Sequence, residues 1–300
     1  MYDVVIVGAG PAGMTAAIYA LRNNLRVALV ESNVPGGVVV NTAVVENYPG
    51  FIKIDGPTLA YSMFEQATTL GAEYYGLTVS GIRVKDNHFI VYTNEEELKG
   101  KTVILASGTK QRRLGVPGEE KYAARGISWC AICDGALYKG ENVAVIGGGN
   151  SAFEETIYLS NLVKKVYLIH RREGFRAESS LIEKVRGLKN IEMVLNSQVI
   201  EFIGTETLQG IKIENIKTNE VKTIKVKGCF EFIGTLPSTD YLKDLGILAK
   251  NGYIKVKKNY ETVIKGLFAC GDVVNKEVRQ IATAINDGAI AALSAIKYCS

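Results

Sequence analysis

The apolar run Val4-Val5-Ile6-Val7 stops at a glycine-rich turn, Gly8-Ala9-Gly10-Pro11-Ala12-Gly13. A helical stretch follows from Met14 to Leu21, and then a second strand-like run, Val27-Ala28-Leu29-Val30, ends at Glu31. The same succession returns at an offset of 139 residues (147 − 8). Val143-Ala144-Val145-Ile146 leads into Gly147-Gly148-Gly149-Asn150-Ser151-Ala152, a helix from Phe153 to Leu162, and a strand Val166-Tyr167-Leu168-Ile169 ending at His170. In both copies the residue closing the second strand lies 23 positions after the first glycine (31 − 8, 170 − 147). A dinucleotide-binding βαβ unit places its ribose-reading residue at about that distance, roughly 20 residues on. The first glycine makes the tight turn, the second lets backbone approach a pyrophosphate, and the third, for which Ala152 can substitute, lets helix and strand pack closely. One such glycine motif is weak evidence, because glycine-rich turns are common; two in register with strand, helix and ribose position are strong.

Between and after these units the pattern is less regular. Residues 78–93 and 193–227 alternate weakly and predict antiparallel strands. Thr102 to Gly108 is an apolar strand ending in small residues, so a cofactor could lie against the backbone at Ala106 and Gly108. Gly115-Val116-Pro117-Gly118 and Gly234-Thr235-Leu236-Pro237-Ser238 predict two linkers. Near the C-terminus, Gly266 to Val273 reads as a strand and tight turn, followed by a helix from about Ile281 to Tyr298.

Charge distinguishes the two repeats. Glu31 can accept hydrogen bonds from ribose hydroxyls but would repel a 2′-phosphate, which suits FAD or NAD. His170, Arg171, Arg172 and Arg176 form a cationic cluster whose guanidinium forks match phosphate oxygens, which suits NADP. The whole chain is only mildly basic, at +4, which gives no argument for nucleic acid or an anionic membrane. No run approaches the roughly 18 apolar residues of a membrane span. The first residues have no basic segment and read as a strand, not a signal peptide, so the cytoplasm is expected.

The five cysteines are too few and scattered for a disulfide scaffold. Only Cys130 and Cys133 are close, in Trp129-Cys130-Ala131-Ile132-Cys133-Asp134-Gly135. Half a zinc site would need two more ligands at metal spacing, and Cys229, Cys270, Cys299, His88 and His170 do not supply them, so no metal is expected. A redox dithiol fits better, because this spacing allows a small-loop disulfide. Asp134 could shuttle the accompanying proton, or be simply the first half of an Asp-Gly turn. Cys229, Cys270 and Cys299 read as packing residues.

Taken together these segments resemble the low-molecular-weight thioredoxin reductases, class II of the pyridine nucleotide-disulfide oxidoreductases. The resemblance covers essentially the whole chain. Its carriers are Gly8–Gly13, Glu46-Asn47-Tyr48-Pro49-Gly50-Phe51, Ala106–Glu119, Cys130–Gly135, Gly147–Ala152, His170–Arg176, Gly271-Asp272-Val273 and Arg279-Gln280-Ile281. It implies an α/β protein with two Rossmann-like dinucleotide-binding domains of three-layer ββα type. The NADPH domain (113–237) would carry the cysteines and be inserted into a discontinuous FAD domain (1–112 and 238–300). FAD would contact Gly8, Gly10, Pro11, Ala12, Gly13, Glu31, Gly36, Gly37, Asn47, Ala106 and Gly108. Asp272 would bind its polyol, Gly271 would lie beside it, and Arg279, Gln280 and Ile281 would run along the flavin. NADPH would contact Gly147, Gly149, Asn150, Ser151, His170, Arg171, Arg172 and Arg176. Cys133 would face the flavin, Cys130 would attack the disulfide of thioredoxin, and Asp134 would donate a proton. The family also implies a homodimer, and an NADPH domain that alternates between two orientations by hinge motion at the linkers. A dithiol oxidase of related fold and a ferredoxin–NADP reductase are the competing enzymes, the latter disfavoured by the CxxC pair. Two positions depart from the family: Val38 stands where Gln is usual after Gly36-Gly37, and Ile285-Asn286 stands before Asp287-Gly288 where Ala-Gly is frequent.

Overall fold

The computed structural model describes residues 1–42 and 45–300. They form two compact units: Met1–Lys110 with Leu236–Ser300, and Gln111–Thr235. The first segment of unit 1 contains β1 (Tyr2–Val7), α1 (Pro11–Leu21), β2 (Val27–Val30), α2 (Gly56–Thr69), β3 (Glu73–Tyr75), β4 (Val79–Lys85), β5 (His88–Thr93) and β6 (Glu97–Leu105). After β7 (Thr109–Gln111), unit 2 runs through α3 (Glu119–Tyr122), β8 (Ile127–Ser128), α4 (Ala131–Asp134), β9 (Asn142–Gly147), α5 (Asn150–Ser160), β10 (Lys165–Ile169), α6 (Ser179–Arg186) and β11 (Ile191–Val194). It continues with β12 (Ser197–Gly204), β13 (Leu208–Asn215), β14 (Val221–Lys225) and β15 (Gly228–Phe232). The chain then passes through β16 (Thr235–Pro237), which pairs with β7, and ends with β17 (Leu267–Ala269) and α7 (Ile281–Cys299).

In unit 1 the strand order is β3-β2-β1-β6-β5-β4, with β17 also paired to β6. β1, β2, β3, β6 and β17 are parallel, while β4 and β5 are antiparallel. Alternate residues of the central strands supply the two faces. Val4, Ile6, Val27, Leu29 and Ile104 pack toward α1 and α7. Val5, Val7, Ala28, Val30 and Leu105 pack with the antiparallel strands and the Leu242–Ile254 region. Burying each such Val, Ile or Leu contributes roughly 1.5–3 kcal/mol, so exchanging the faces would be costly.

α1 starts at Pro11, three residues before the predicted Met14, because proline at the first turn needs no amide donor and already has a helical φ. It is lined by Ala12, Gly13, Ala16, Ala17 and Ala20, all buried, and α7 lies against it so closely that a Cβ on Gly288 would stand 2.2 Å from Ala12 O.

Unit 2 has the parallel order β11-β10-β9-β15-β8. α5 and α6 cover one face through Val143, Val145, Val166, Leu168 and Phe230. The antiparallel sheet β12-β13-β14 covers the other through Ala144, Ile146, Ile211 and Ile213, completing three layers. Gly115–Gly118 is not a crossing: the chain passes between units at Lys110–Gln111, and this turn is folded into unit 2. Glu119 accepts the amides of Leu114 (2.9 Å) and Gly115 (2.5 Å), and Pro117 O accepts the Phe202 amide. Pro-Gly punctuation marks the turn, and whether that turn joins units depends on distant contacts.

α7 fixes the Gly271 turn through one carboxylate. Buried Asp287 accepts Tyr260 Oη–H at 2.5 Å, Lys276 Nζ–H at 2.6 Å and the Gly271 amide at 3.2 Å. Asp287→Ala would leave the half-buried Lys276 ammonium without its nearest carboxylate and remove the acceptor of Tyr260 and Gly271, and it should lower the unfolding free energy by about 3 kcal/mol in denaturant titration, whereas a loss below about 1 kcal/mol would contradict this role.

Candidate active site

The first glycine turn is shaped by backbone proximity. Gly8 has φ +107°, and a Cβ there would stand 2.3 Å from Ala106 O. A Cβ on Gly13 would stand 1.9 Å from Gly8 O, while one on Gly10 would meet nothing within 4 Å. The middle glycine therefore borders open space at the start of α1. No side chain caps that helix, although its N-terminal amides need acceptors. Glu31 closes β2 and accepts the Ala9 amide on Oε2 and the Asn33 amide on Oε1, both at 3.0 Å. Each oxygen retains a further lone pair for a ribose hydroxyl. Pro11 and Ala12 form the first turn of α1, and the Gly36 amide bonds Ala9 O at 2.7 Å. Gly37 begins a short 3-10 turn in which Val38 is exposed.

The remaining expected FAD residues gather in unit 1. The Ala106 amide bonds Val7 O, and Gly108 O accepts the Ser238 amide. Asn47 Nδ2 donates to Gln280 Oε1 at 3.2 Å, and Gln280 caps α7, which begins at Ile281. Arg279 is turned toward backbone: Nε donates to Asp272 O and Nη2 to Val274 O, both at 3.3 Å, with the guanidinium over the Tyr253 ring. Asp272 Oδ1 is buried without a hydrogen-bond donor, and burial raises its pKa; Lys276 Nζ lies 3.8 Å away. An orphaned buried acceptor beside an uncapped helix fits a ligand that brings both hydroxyls and phosphates.

Unit 2 repeats the cradle. A Cβ on Gly147 would stand 2.5 Å from Phe232 O, Gly149 borders open space, and α5 begins without a side-chain cap. Asn150 pairs with Glu178 in both directions at 2.9 Å, and Ser151 follows in the first turn. His170 packs against Gly148, where a Cβ would stand 2.3 Å from its ring, and against Phe175. Its pKa is lowered by burial, with the bond to the Gly174 carbonyl acting against the shift and the positive charges of Arg171, Arg172 and Arg176 adding to it. All three arginines are exposed.

Cys130 and Cys133 are joined as a disulfide, with Cα atoms 5.4 Å apart. Cys130 precedes α4; its amide bonds Ser128 Oγ at 3.0 Å, and its Sγ accepts the Cys133 amide at 3.1 Å. Cys133 is exposed, whereas Cys130 and Asp134 are half-buried. Asp134 lies near Tyr138, whose pKa rises through burial and then this carboxylate. Cys229 and Cys270 are buried, and burial pushes both thiols up.

Residues 2–288 match the pyridine nucleotide-disulphide oxidoreductase family. The chain belongs to that family, in its low-molecular-weight, bacterial-type thioredoxin reductase branch. It is 46% identical to a thioredoxin reductase of Ureaplasma parvum, over 99% of this chain and 97% of that one. It is 43% identical to a Bacillus subtilis thioredoxin reductase, over 99% and 95% of the two chains. The crystal structure of Lactococcus lactis thioredoxin reductase in its FR conformation superposes with a TM-score of 0.97 at 41% identity, covering 100% and 99%.

Beyond the motifs of this family, the structure brings a buried carboxyl to Trp129, the residue that precedes Cys130. Glu231, in β15, accepts the Trp129 indole N–H at 3.1 Å on Oε2. Its only local signal is a charge inside the apolar run Cys229-Phe230-Glu231-Phe232-Ile233. A lowered pKa keeps the His170 ring neutral at pH 7, and an NMR titration should place its midpoint below the ordinary imidazole value of about 6.5. The stability it contributes is present above that value and is lost as pH falls through the lowered pKa. A midpoint at or above about 6.5 would show that neither burial nor the arginines hold the ring down.

Proposed function

We propose that the chain is an NADPH-dependent thioredoxin-disulfide reductase that uses FAD. The observation that carries this reading is a Cys130–Cys133 disulfide borne on the unit that also holds the second glycine cradle. Unit 1 would hold FAD through Gly8–Gly13, Glu31, Gly36, Gly37, Asn47, Ala106, Gly108, Gly271, Asp272 and Arg279–Ile281. Unit 2 would hold NADPH through Gly147, Gly149, Asn150, Ser151, His170, Arg171, Arg172 and Arg176. Bound FAD would relay electrons from NADPH to the disulfide, while the protein supplies position and electrostatics. Resemblance to the branch supports a homodimer and a cytoplasmic location. Among the described residues no helix is long and apolar enough to cross a membrane.

The thiol chemistry follows from the two cysteines. Reduction of the disulfide yields two thiols and takes up two protons. The Cys130 thiolate attacks one sulfur of oxidised thioredoxin, forming a mixed disulfide and releasing one thioredoxin thiolate. Cys133 then attacks Cys130 Sγ, restores the intramolecular bond and releases the second thiolate. The two thioredoxin thiolates take the protons that Cys130 and Cys133 give up, with Asp134 as the nearby carriage. Exposure alone favours Cys133 as the attacking group. The Cys133 amide, which donates to Cys130 Sγ and would stabilise a thiolate there, and the family resemblance favour Cys130.

NADPH-driven reduction of several thioredoxins by the purified yellow protein tests the function. Turnover with at least one is expected, whereas a flavin that NADPH does not reduce, together with oxygen consumption driven by a small dithiol, would favour the dithiol oxidase. Neutralising Arg171 and Arg172 together should raise the KM for NADPH about tenfold or more and leave NADH use nearly unchanged, since charge-assisted bonds to the 2′-phosphate are removed. Equal losses with both cofactors would refute the assignment. Cys133→Ser should trap thioredoxin as a mixed disulfide, because no second thiol resolves the link, whereas Cys130→Ser should not. The reverse pattern would exchange the two roles.

A further inference from the structure

Cys130 projects from the end of β8, and the side chain beside it is anchored by a group that the thiol chemistry above does not use. β15 pairs Cys229 with Ile127 and Phe230 with Ser128, which brings the next residue, Glu231, level with Trp129. Glu231 Oε2 accepts the Trp129 indole N–H, and the Arg113 guanidinium sits 3.5 Å over the indole ring. Glu231 is fully buried, and no N–H or hydroxyl donor reaches its Oε1. Glu119, a buried carboxyl that already accepts two backbone amides, stands within hydrogen-bonding reach of the Glu231 carboxyl. A contact between two carboxyls requires a proton, and with Glu119 occupied as an acceptor the proton belongs on Glu231 Oε1.

We propose that Glu231, as a neutral acid bridging Glu119 and Trp129, is a positioning residue that fixes the strand end from which Cys130 attacks. The inference rests on the redox role of Cys130 proposed above. As the neutral acid, Glu231 donates to Glu119 and accepts from Trp129, so each buried polar atom is satisfied. As the anion, it turns a second negative charge toward Glu119 with no donor between them, and the bridge opens. The charged and titratable groups around it are Glu119, Arg113 and the buried Cys229 thiol, besides the Trp129 N–H. Burial, and then Glu119, push its pKa up to about 8, while the Trp129 bond and Arg113 act in the opposite direction. The sign follows from that rise. The cluster's contribution to stability is complete below the ordinary carboxyl range of about 4.3 and declines above it, while the bridge itself persists in the folded protein until pH passes the raised value.

Trp129 is the chain's single tryptophan, so tryptophan emission comes from this site. In the holoenzyme, emission should change with a midpoint near pH 8, and thioredoxin turnover should fall with the same midpoint. Glu231→Gln supplies an oxygen for Trp129 and an N–H for Glu119 without a titrating proton. It should keep turnover within about twofold of the unmodified enzyme and show no emission transition. Glu231→Leu removes both bonds; it should shift the emission at every pH and lower thioredoxin turnover about tenfold, while NADPH still reduces the flavin at an unchanged rate. An unaltered emission transition in Glu231→Gln would overturn the proposal, and so would full thioredoxin turnover in Glu231→Leu. If the unmodified protein turned over no thioredoxin, the functional reading would fail, and the emission transition would still decide the Glu231–Trp129 bridge.

Discussion

A helix whose first turn has no side chain to satisfy it governs each unit. Gly10 is the N-cap of α1 and Gly149 that of α5, and neither glycine offers a capping side-chain oxygen. Backbone amides at such a turn need an acceptor, and a phosphate is the acceptor that also matches the helix dipole. Around that requirement the rest of each unit is arranged. The strand must end in a tight turn, the helix must lie almost on the strand, and nothing may project from the middle glycine. α7 completes the arrangement in unit 1 by approaching Ala12 without a Cβ at Gly288. Binding of a dinucleotide therefore adds directly to the stability of the fold, by mass action on the native state.

The same device carries two ligands because the second strand ends differently. Glu31 is a carboxylate held by two amides, suited to hydroxyls. His170 is a neutral ring packed against Gly148, and the exposed Arg171, Arg172 and Arg176 that follow it in the chain suit an additional phosphate. Unit 1 also carries an orphaned acceptor on Asp272, held in place by the Gly271 turn and the Asp287 cluster. The redox pair lies on the unit whose ribose position is cationic, and its local support comes from β8 and β15.

Local pattern made the architecture legible where the determining contacts are local. Alternation in β1, β2, β9 and β10, the glycine turns and the equal spacing to Glu31 and His170 all belong to single βαβ units. The expected pair of Rossmann-like folds, one inserted into the other, is the fold observed. What could not be read depends on residues far apart in the chain. The turn at Gly115–Gly118 looks like a linker until Glu119 and Phe202 are seen to hold it. The guanidinium of Arg279 binds the carbonyls of Asp272 and Val274, and carbonyls leave no trace in residue identity. Glu231 is an anomaly in an apolar strand until β8 places Trp129 beside it.

Function as a disulfide reductase requires that electrons from NADPH reach the Cys130–Cys133 disulfide. Quantitative alkylation of the native holoprotein, with and without NADPH under anaerobic conditions and read by peptide mass spectrometry, tests it without any partner protein. Both cysteines should be protected before NADPH and alkylated after it. Cys229 and Cys270 should stay unmodified throughout, because they are buried. A flavin bleached by NADPH while Cys130 and Cys133 remained protected would contradict the account, because the disulfide would then lie outside the electron path.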